Sequence, residues 1–134
     1  MNTKDKGFDT KLIHAGDVSD EFGSAVTPIY QTSTFIFKSA EHGADLFSGN
    51  EHGYIYSRLS NPTIKALEDK LAALENGFGG IALASGMAAV TTAYATILKQ
   101  GDHMISTSAV YGPSRGVMES IFSDFGIDGK TLKD

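Results

Sequence analysis

Three short stretches carry residue types that could handle an anion or a flat ring. In GYIYSRLSNPT (Gly53 to Thr63), Tyr56 and Arg58 stand two apart. On an extended chain they share one side, and a guanidinium beside a phenol is a good donor pair for phosphate. The plain alternative is a solvated Arg next to a packing Tyr. In ALASGMAAV (Ala82 to Val90), an apolar run enters Ser85-Gly86 and then a helical pattern. Such a turn aims free backbone N–H groups and a helix dipole at a bound phosphate. Ser85 could add its hydroxyl, and Gly86 permits close backbone approach. A strand–helix turn with Gly selected for packing fits the same residues. In SAVYGPS (Ser108 to Ser114), Tyr111 falls after a short strand and before a Pro-started helix. That is the edge of an open α/β sheet where ligands bind, and an aromatic there can stack on a heterocycle. A Tyr packed under a loop is the competing account.

Other chemistry finds little purchase. Neither G-x-G-x-x-G nor a Walker loop with its Lys occurs, which argues against an unrelated nucleotide-binding module. His14, His42, His52 and His103 lack metal-ligand spacing, so no metal site is expected. The carboxylates are scattered and form no acid/base pair. The 134 residues carry a formal net charge of -5 with no basic stripe, which excludes a nucleic-acid footprint. Cysteine is absent, so disulfides and thiolate metal sites are excluded and a cytoplasmic location fits. The charged N-terminus has no apolar core of a signal peptide. Asn76 to Leu98 is uncharged and long enough to span a membrane, but its Gly and Ser content favours a strand, turn and helix instead.

The elements that must position these residues follow from periodicity. Residues up to about Ser60 have little, although Thr27 to Phe37 has the composition of extended chain. From Asn61 the pattern sharpens. Asn61 suits a cap, Pro62 the first helical position, and Ile64, Leu67, Leu71 and Leu74 recur at helical spacing before Gly77 closes the helix. Ile81 to Ala84 reads as a buried strand, Met87 to Leu98 as a helix stopped by Gly101, and His103 to Ser106 as a second strand. Pro113 to about Phe125 reads as a third helix with Val117, Ile121 and Phe125 on one face. Strand and helix alternating in this way is the grammar of a parallel α/β sheet. The tail after Ile127, DGKTLKD, lacks the apolar strand expected next, and the sheet looks unfinished with apolar surface exposed at its edge.

YSRLSNPT, ASGMAA and VYGPS in that order, with TKLIHAG and TPIYQTSTF before them, resemble the Cys/Met-metabolism family of pyridoxal-phosphate (PLP) enzymes. That family includes methionine γ-lyase, cystathionine γ-synthase and γ-lyase, and the O-acylhomoserine sulfhydrylases. The resemblance runs from about Phe8 to Ile127. It implies an incomplete, N-terminal part of a fold-type-I PLP-dependent transferase: an arm over residues 1–60 contacting a partner subunit, then the start of the PLP-binding large domain over 61–134. It implies that Gly86 and Met87, with Ser85, hold the PLP phosphate, and that Tyr111 stacks on the pyridine ring and takes part in proton transfer. Tyr56 and Arg58 would bind the phosphate of a neighbouring subunit's cofactor in a dimer of dimers, with Tyr56 also near the substrate. On that basis the pair should point away from the chain's own Gly86.

The implied activity is carbon–sulfur lyase or γ-replacement chemistry on a sulfur-containing amino acid or an O-acylhomoserine. The pattern also departs from the family. No lysine here sits in the family's Ser/Thr-rich Schiff-base motif, so a non-catalytic truncated product is the alternative reading. Pro113 follows Tyr111-Gly112 where typical methionine γ-lyases have a cysteine, which leaves γ-synthase or sulfhydrylase activity open.

Overall fold

The computed structural model describes residues 3–132; the outermost residues of the charged N-terminal stretch and of the DGKTLKD tail, Met1, Asn2, Lys133 and Asp134, lie outside the described residues. The chain divides into two compact units, one running to Ala82 and the other starting at Leu83.

The first unit contains α1 (Phe8–His14), α2 (Ala40–Ser48) and α3 (Pro62–Leu74). The stretch without clear periodicity therefore holds two short helices. α1 packs on α3, and the contact is close enough to require glycine. Gly16 has φ 74°, and a Cβ there would collide with the Ala66 carbonyl oxygen. The neighbouring Ala15 is buried, and Lys70 Nζ donates to the Ile13 carbonyl at 3.1 Å. α2 starts where Ser39 accepts the His42 N–H and stops at Gly49, whose φ is 76°. The Phe37 ring meets Phe47 edge-on at 6.0 Å.

α3 begins as its sequence requires. The Asn61 side chain accepts the Thr63 N–H, and Pro62 occupies the first turn where no N–H is needed. Its end differs from expectation. The left-handed residue is Asn76, with φ 52°, and Gly77 donates its N–H to the Ala72 carbonyl at 2.8 Å. A short polar side chain tolerates the left-handed region, so the stop sits one residue earlier than the glycine. The Thr27–Phe37 run is extended but forms no long ladder. It pairs with the Tyr56 segment through the Thr34–Tyr56 bridge, Phe35 N–H to Ile55 O at 3.1 Å and Ser57 N–H to Ser33 O at 2.9 Å.

The second unit holds α4 (Gly86–Ile97), β1 (His103–Thr107), α5 (Gly112–Gly116), a π-helical turn (Val117–Ile121), α6 (Phe122–Asp124) and β2 (Asp128–Leu132). β1 and β2 pair in parallel, His103 opposite Asp128 through Thr107 opposite Leu132. The polar tail is thus a strand. Its half-buried positions are Gly129 and Thr131, so it needs no continuous apolar run. Glycine is required at the first of them, since a Cβ on Gly129 would lie 2.5 Å from the Met118 carbonyl oxygen. Conversely, Ile81–Ala84 is not a strand: among the described residues no strand lies alongside it, the Ala82 N–H donates to Glu68 Oε1 at 2.8 Å instead, and Ile81 is exposed. An apolar run becomes a strand only when another strand lies alongside.

The helical segment after Tyr111 also turns a different face inward. Val117, Met118 and Phe122 are buried, whereas Ile121 and Phe125 are exposed. The core of this unit is Val117, Phe122 and Ile127, with Met87, Tyr94 and Leu98 packed against it. The Tyr94 and Phe122 rings meet edge-on, 6.1 Å apart. Burying a side chain such as Phe122 is worth about 1.5–3 kcal/mol, so α4 is anchored chiefly through this cluster. Ile105 and Leu132 remain 60% exposed on the uncovered side of the two-stranded sheet. Among the described residues no helix is long and apolar enough to cross a membrane.

Candidate functional site

The N-terminus of α4 is built by Ser85. Its backbone is extended and its hydroxyl accepts the Ala88 N–H at 3.1 Å, while its carbonyl accepts from Ala89 N–H at 3.1 Å. Both bonds lie one turn into the helix. The Gly86 and Met87 N–H groups, at the first two helical positions, have no acceptor among the described residues. Because Ser85 Oγ accepts rather than donates, its proton is also available to a ligand. Space over Gly86 is open: a Cβ built there would touch nothing within 4 Å.

These groups open into a cavity of about 520 Å³ lined by Ser85, Gly86, Met87, Val90, Tyr111 and Ser114. Tyr111 reaches it because the chain leaves β1 and turns into α5. The Tyr111 carbonyl accepts the Ser114 and Arg115 N–H groups at 2.9 and 3.2 Å, which leaves the side chain outside the helix and 69% exposed. A phenol ring thus lines the same cavity as two unpaired N–H donors, and no other ring among the described residues stacks on it. Ser114 and Val90 were not singled out from the sequence. Spacing held the signal: Val90 lies one turn beyond Gly86, and Ser114 one turn beyond Tyr111. Ser114 is buried, with its Oγ 3.8 Å from Met87 Sδ, so it ties α5 to the start of α4.

Among the described residues no cation lines this cavity. Arg115, on the adjoining helix, is engaged with Glu119 at 3.6 Å. The helix terminus therefore offers hydrogen bonds and a partial positive charge, and a dianionic ligand there still lacks a full counter-charge.

Tyr56 and Arg58 belong to the first unit. They do not sit on an extended chain. Tyr56 ends the pairing with Thr34, and its carbonyl then accepts the Leu59 and Ser60 N–H groups at 2.8 and 3.1 Å, which makes a turn. The turn places the Arg58 guanidinium carbon 5.2 Å from the Tyr56 ring centroid. Arg58 is exposed and, among the described residues, forms neither an ion pair nor a hydrogen bond through its guanidinium. Among the described residues there is also no cluster of three His, Cys, Asp or Glu side chains suited to a metal ion.

Residues 9–134 match the family model described as Cys/Met metabolism PLP-dependent enzyme. The chain belongs to this family. It is 47% identical to the L-methionine gamma-lyase of Fusobacterium nucleatum over 96% of its own length and 32% of that protein. It is 41% identical to the O-acetyl-L-homoserine sulfhydrylase of Corynebacterium glutamicum over 95% of its length and 29% of that protein. In structure it is similar to a Campylobacter jejuni protein described as an O-acetylhomoserine (thiol)-lyase and holding N'-pyridoxyl-lysine-5'-monophosphate. That likeness has a TM-score of 0.87 and 34% identity, and covers 95% of this chain and 31% of that one. The chain spans about a third of the length of the curated relatives it matches, and its small α/β fold corresponds to the N-terminal part of these PLP-dependent enzymes.

The α4 terminus suits PLP on its own geometry. Two orphan N–H groups and a serine hydroxyl match phosphate oxygens, and the bare Gly86 leaves room for close approach. The exposed Tyr111 ring beside them matches a pyridine ring.

Proposed function

We propose that these residues form the phosphate and ring-stacking portion of a PLP-dependent enzyme that eliminates or replaces the γ-substituent of a sulfur-containing amino acid or an O-acylhomoserine. The observation that carries this reading is the pair of unpaired Gly86 and Met87 N–H groups opening into the cavity beside Tyr111. Pyridoxal phosphate supplies an electron sink for carbanionic charge at the substrate's Cα and Cβ. The chain supplies anchoring and orientation. Gly86, Met87 and Ser85 hold the phosphate, Tyr111 stacks on the ring, and its phenol oxygen is placed to move a proton. Tyr56 and Arg58 supply the missing counter-charge to the cofactor phosphate of a partner subunit, in a homo-oligomer that the family resemblance implies is a tetramer, and Tyr56 also borders the substrate. A cytoplasmic setting accords with the absence of cysteine.

Equilibrium dialysis of the chain against pyridoxal phosphate and against pyridoxal tests the reading. The phosphorylated form should be retained and the unphosphorylated form should not. Equal retention of both would remove the role assigned to the α4 terminus.

One observation favours a second reading for the 134 residues by themselves. No lysine among them sits in the Ser/Thr-rich Schiff-base motif that the family resemblance calls for, so on this account they bind cofactor without a covalent link and without turnover. Borohydride treatment after mixing with pyridoxal phosphate should then leave no stoichiometric pyridoxyl-lysine by peptide mapping. Labelling of one lysine at full occupancy would refute it.

A further inference from the structure

Helix α3 needs only a capping acceptor at its start, and Ser, Thr or Asp would serve as well as Asn. The structure gives Asn61 more to do. Its side chain is 5% exposed and every polar atom is used. Oδ1 accepts the Thr63 N–H at 2.9 Å, which is the cap. Nδ2 donates twice, to the Tyr30 carbonyl at 2.9 Å and to Ser57 Oγ at 2.9 Å. Ser57 Oγ in turn donates to the Thr32 carbonyl. Asn61 alone among capping residues combines one acceptor with two such donors.

Those donors bear on the turn that carries Arg58. On its N-terminal side the turn is fixed by backbone pairing, through the Thr34–Tyr56 bridge. On its C-terminal side the tie to the extended arm runs through the Asn61 carboxamide and the neighbouring Thr63, whose Oγ1 donates to Pro28 O at 3.0 Å and accepts the Tyr30 N–H at 2.9 Å. We infer that Asn61 is a positioning residue: its carboxamide, through Tyr30 O and Ser57 Oγ, holds the Tyr56–Ser60 turn so that Tyr56 and Arg58 present a preformed anion-binding pair. The inference rests on the phosphate-holding role proposed above for Arg58. Preorganisation is the benefit, because a long arginine side chain on a loose turn loses more freedom on binding.

The test uses the whole chain, isotope-labelled, with Asn61→Ser, Asn61→Asp and Ser57→Ala. Ser and Asp keep the cap and remove the amide donors. Amide protection at Leu59 and Ser60 should fall about tenfold in both Asn61 variants, the factor that one lost hydrogen bond of ordinary worth carries. The ring-current shift that Tyr56 imposes on the Arg58 Nε–H should collapse with it. Protection at Thr63 and Lys65, which reports the cap, should stay within about twofold of wild type. Titration with pyridoxal phosphate should weaken about tenfold in Asn61→Ser at a temperature where the variant remains fully folded. Unchanged Leu59, Ser60 and Arg58 signals would overturn the inference. Should both Asn61 variants unfold, Ser57→Ala decides, because it leaves the cap untouched; a turn as protected as wild type in that variant overturns the inference equally. Arg58→Ala separates the two readings. If it binds pyridoxal phosphate like wild type, the phosphate role of Arg58 fails, while the turn signals still judge Asn61.

Discussion

The Arg58 guanidinium carbon lies 5.2 Å from the centre of the Tyr56 ring, and no carboxylate among the described residues pairs with it. A stacked but unneutralised guanidinium keeps its donor fork available for a phosphate. Arg58→Lys preserves the charge and removes the fork and the stacking surface. It should weaken pyridoxal-phosphate binding about tenfold, and Arg58→Ala by up to a hundredfold, the range of charge-assisted hydrogen bonds. Unfolding free energies of both variants should stay within about 1 kcal/mol of wild type, because the side chain is exposed and its stacking on Tyr56 is a surface cation–π contact.

Ser85 separates capping from ligand binding. Ser85→Ala removes the bond to Ala88 and should cost about 1 kcal/mol of stability, together with a loss of phosphate affinity. Ser85→Asp retains the cap but sets a carboxylate against the incoming phosphate. Thermal unfolding should stay near wild type in Ser85→Asp while pyridoxal-phosphate binding is abolished in dialysis.

Gly129→Ala probes the strand formed by the polar tail. Its methyl would collide with the Met118 carbonyl, a backbone atom that cannot swing aside, so a loss of about 1–3 kcal/mol is expected. Urea unfolding followed by the near-ultraviolet signal of Tyr94, which packs against Phe122, reports it.

Asp20 gives a local pH response. Its carboxyl is held below the ordinary carboxylate value by hydrogen bonds from the Ser24 hydroxyl and backbone N–H, and more weakly from the Phe22 and Gly23 N–H groups. A depressed folded-state value means the turn is favoured above the ordinary carboxylate pKa and loosens as pH falls through the folded one. Amide exchange at Ser24 should be slow at neutral pH and accelerate, relative to the intrinsic rate, only in strongly acidic solution. Asp20→Asn should flatten that dependence.

Much of this was legible before any coordinates. Asn61-Pro62 announced α3, and Ser85-Gly86 announced α4, because capping is local chemistry. The elements that went astray depend on partners distant in sequence. Ile81–Ala84 has strand composition but no strand beside it among the described residues, whereas Asp128–Leu132 has little apolar content yet pairs with β1. The buried face after Tyr111 was set by Met118 and Phe122 meeting β2 and α4, which no single-helix periodicity reveals. The candidate site residues are visible as types at fixed places. The unpaired state of the Gly86 and Met87 N–H groups, the cavity shared with Ser114, and the stacking of Arg58 on Tyr56 required the fold.

The reading proposed above puts the phosphate of pyridoxal phosphate at the start of α4. Titration of the isotope-labelled chain with pyridoxal phosphate, followed at the Gly86 and Met87 amides, addresses it directly. Both resonances should shift downfield and saturate together with pyridoxal phosphate, and stay in place with pyridoxal at the same concentrations. Unmoved Gly86 and Met87 resonances under saturating cofactor, or the same shifts with pyridoxal, would contradict the account.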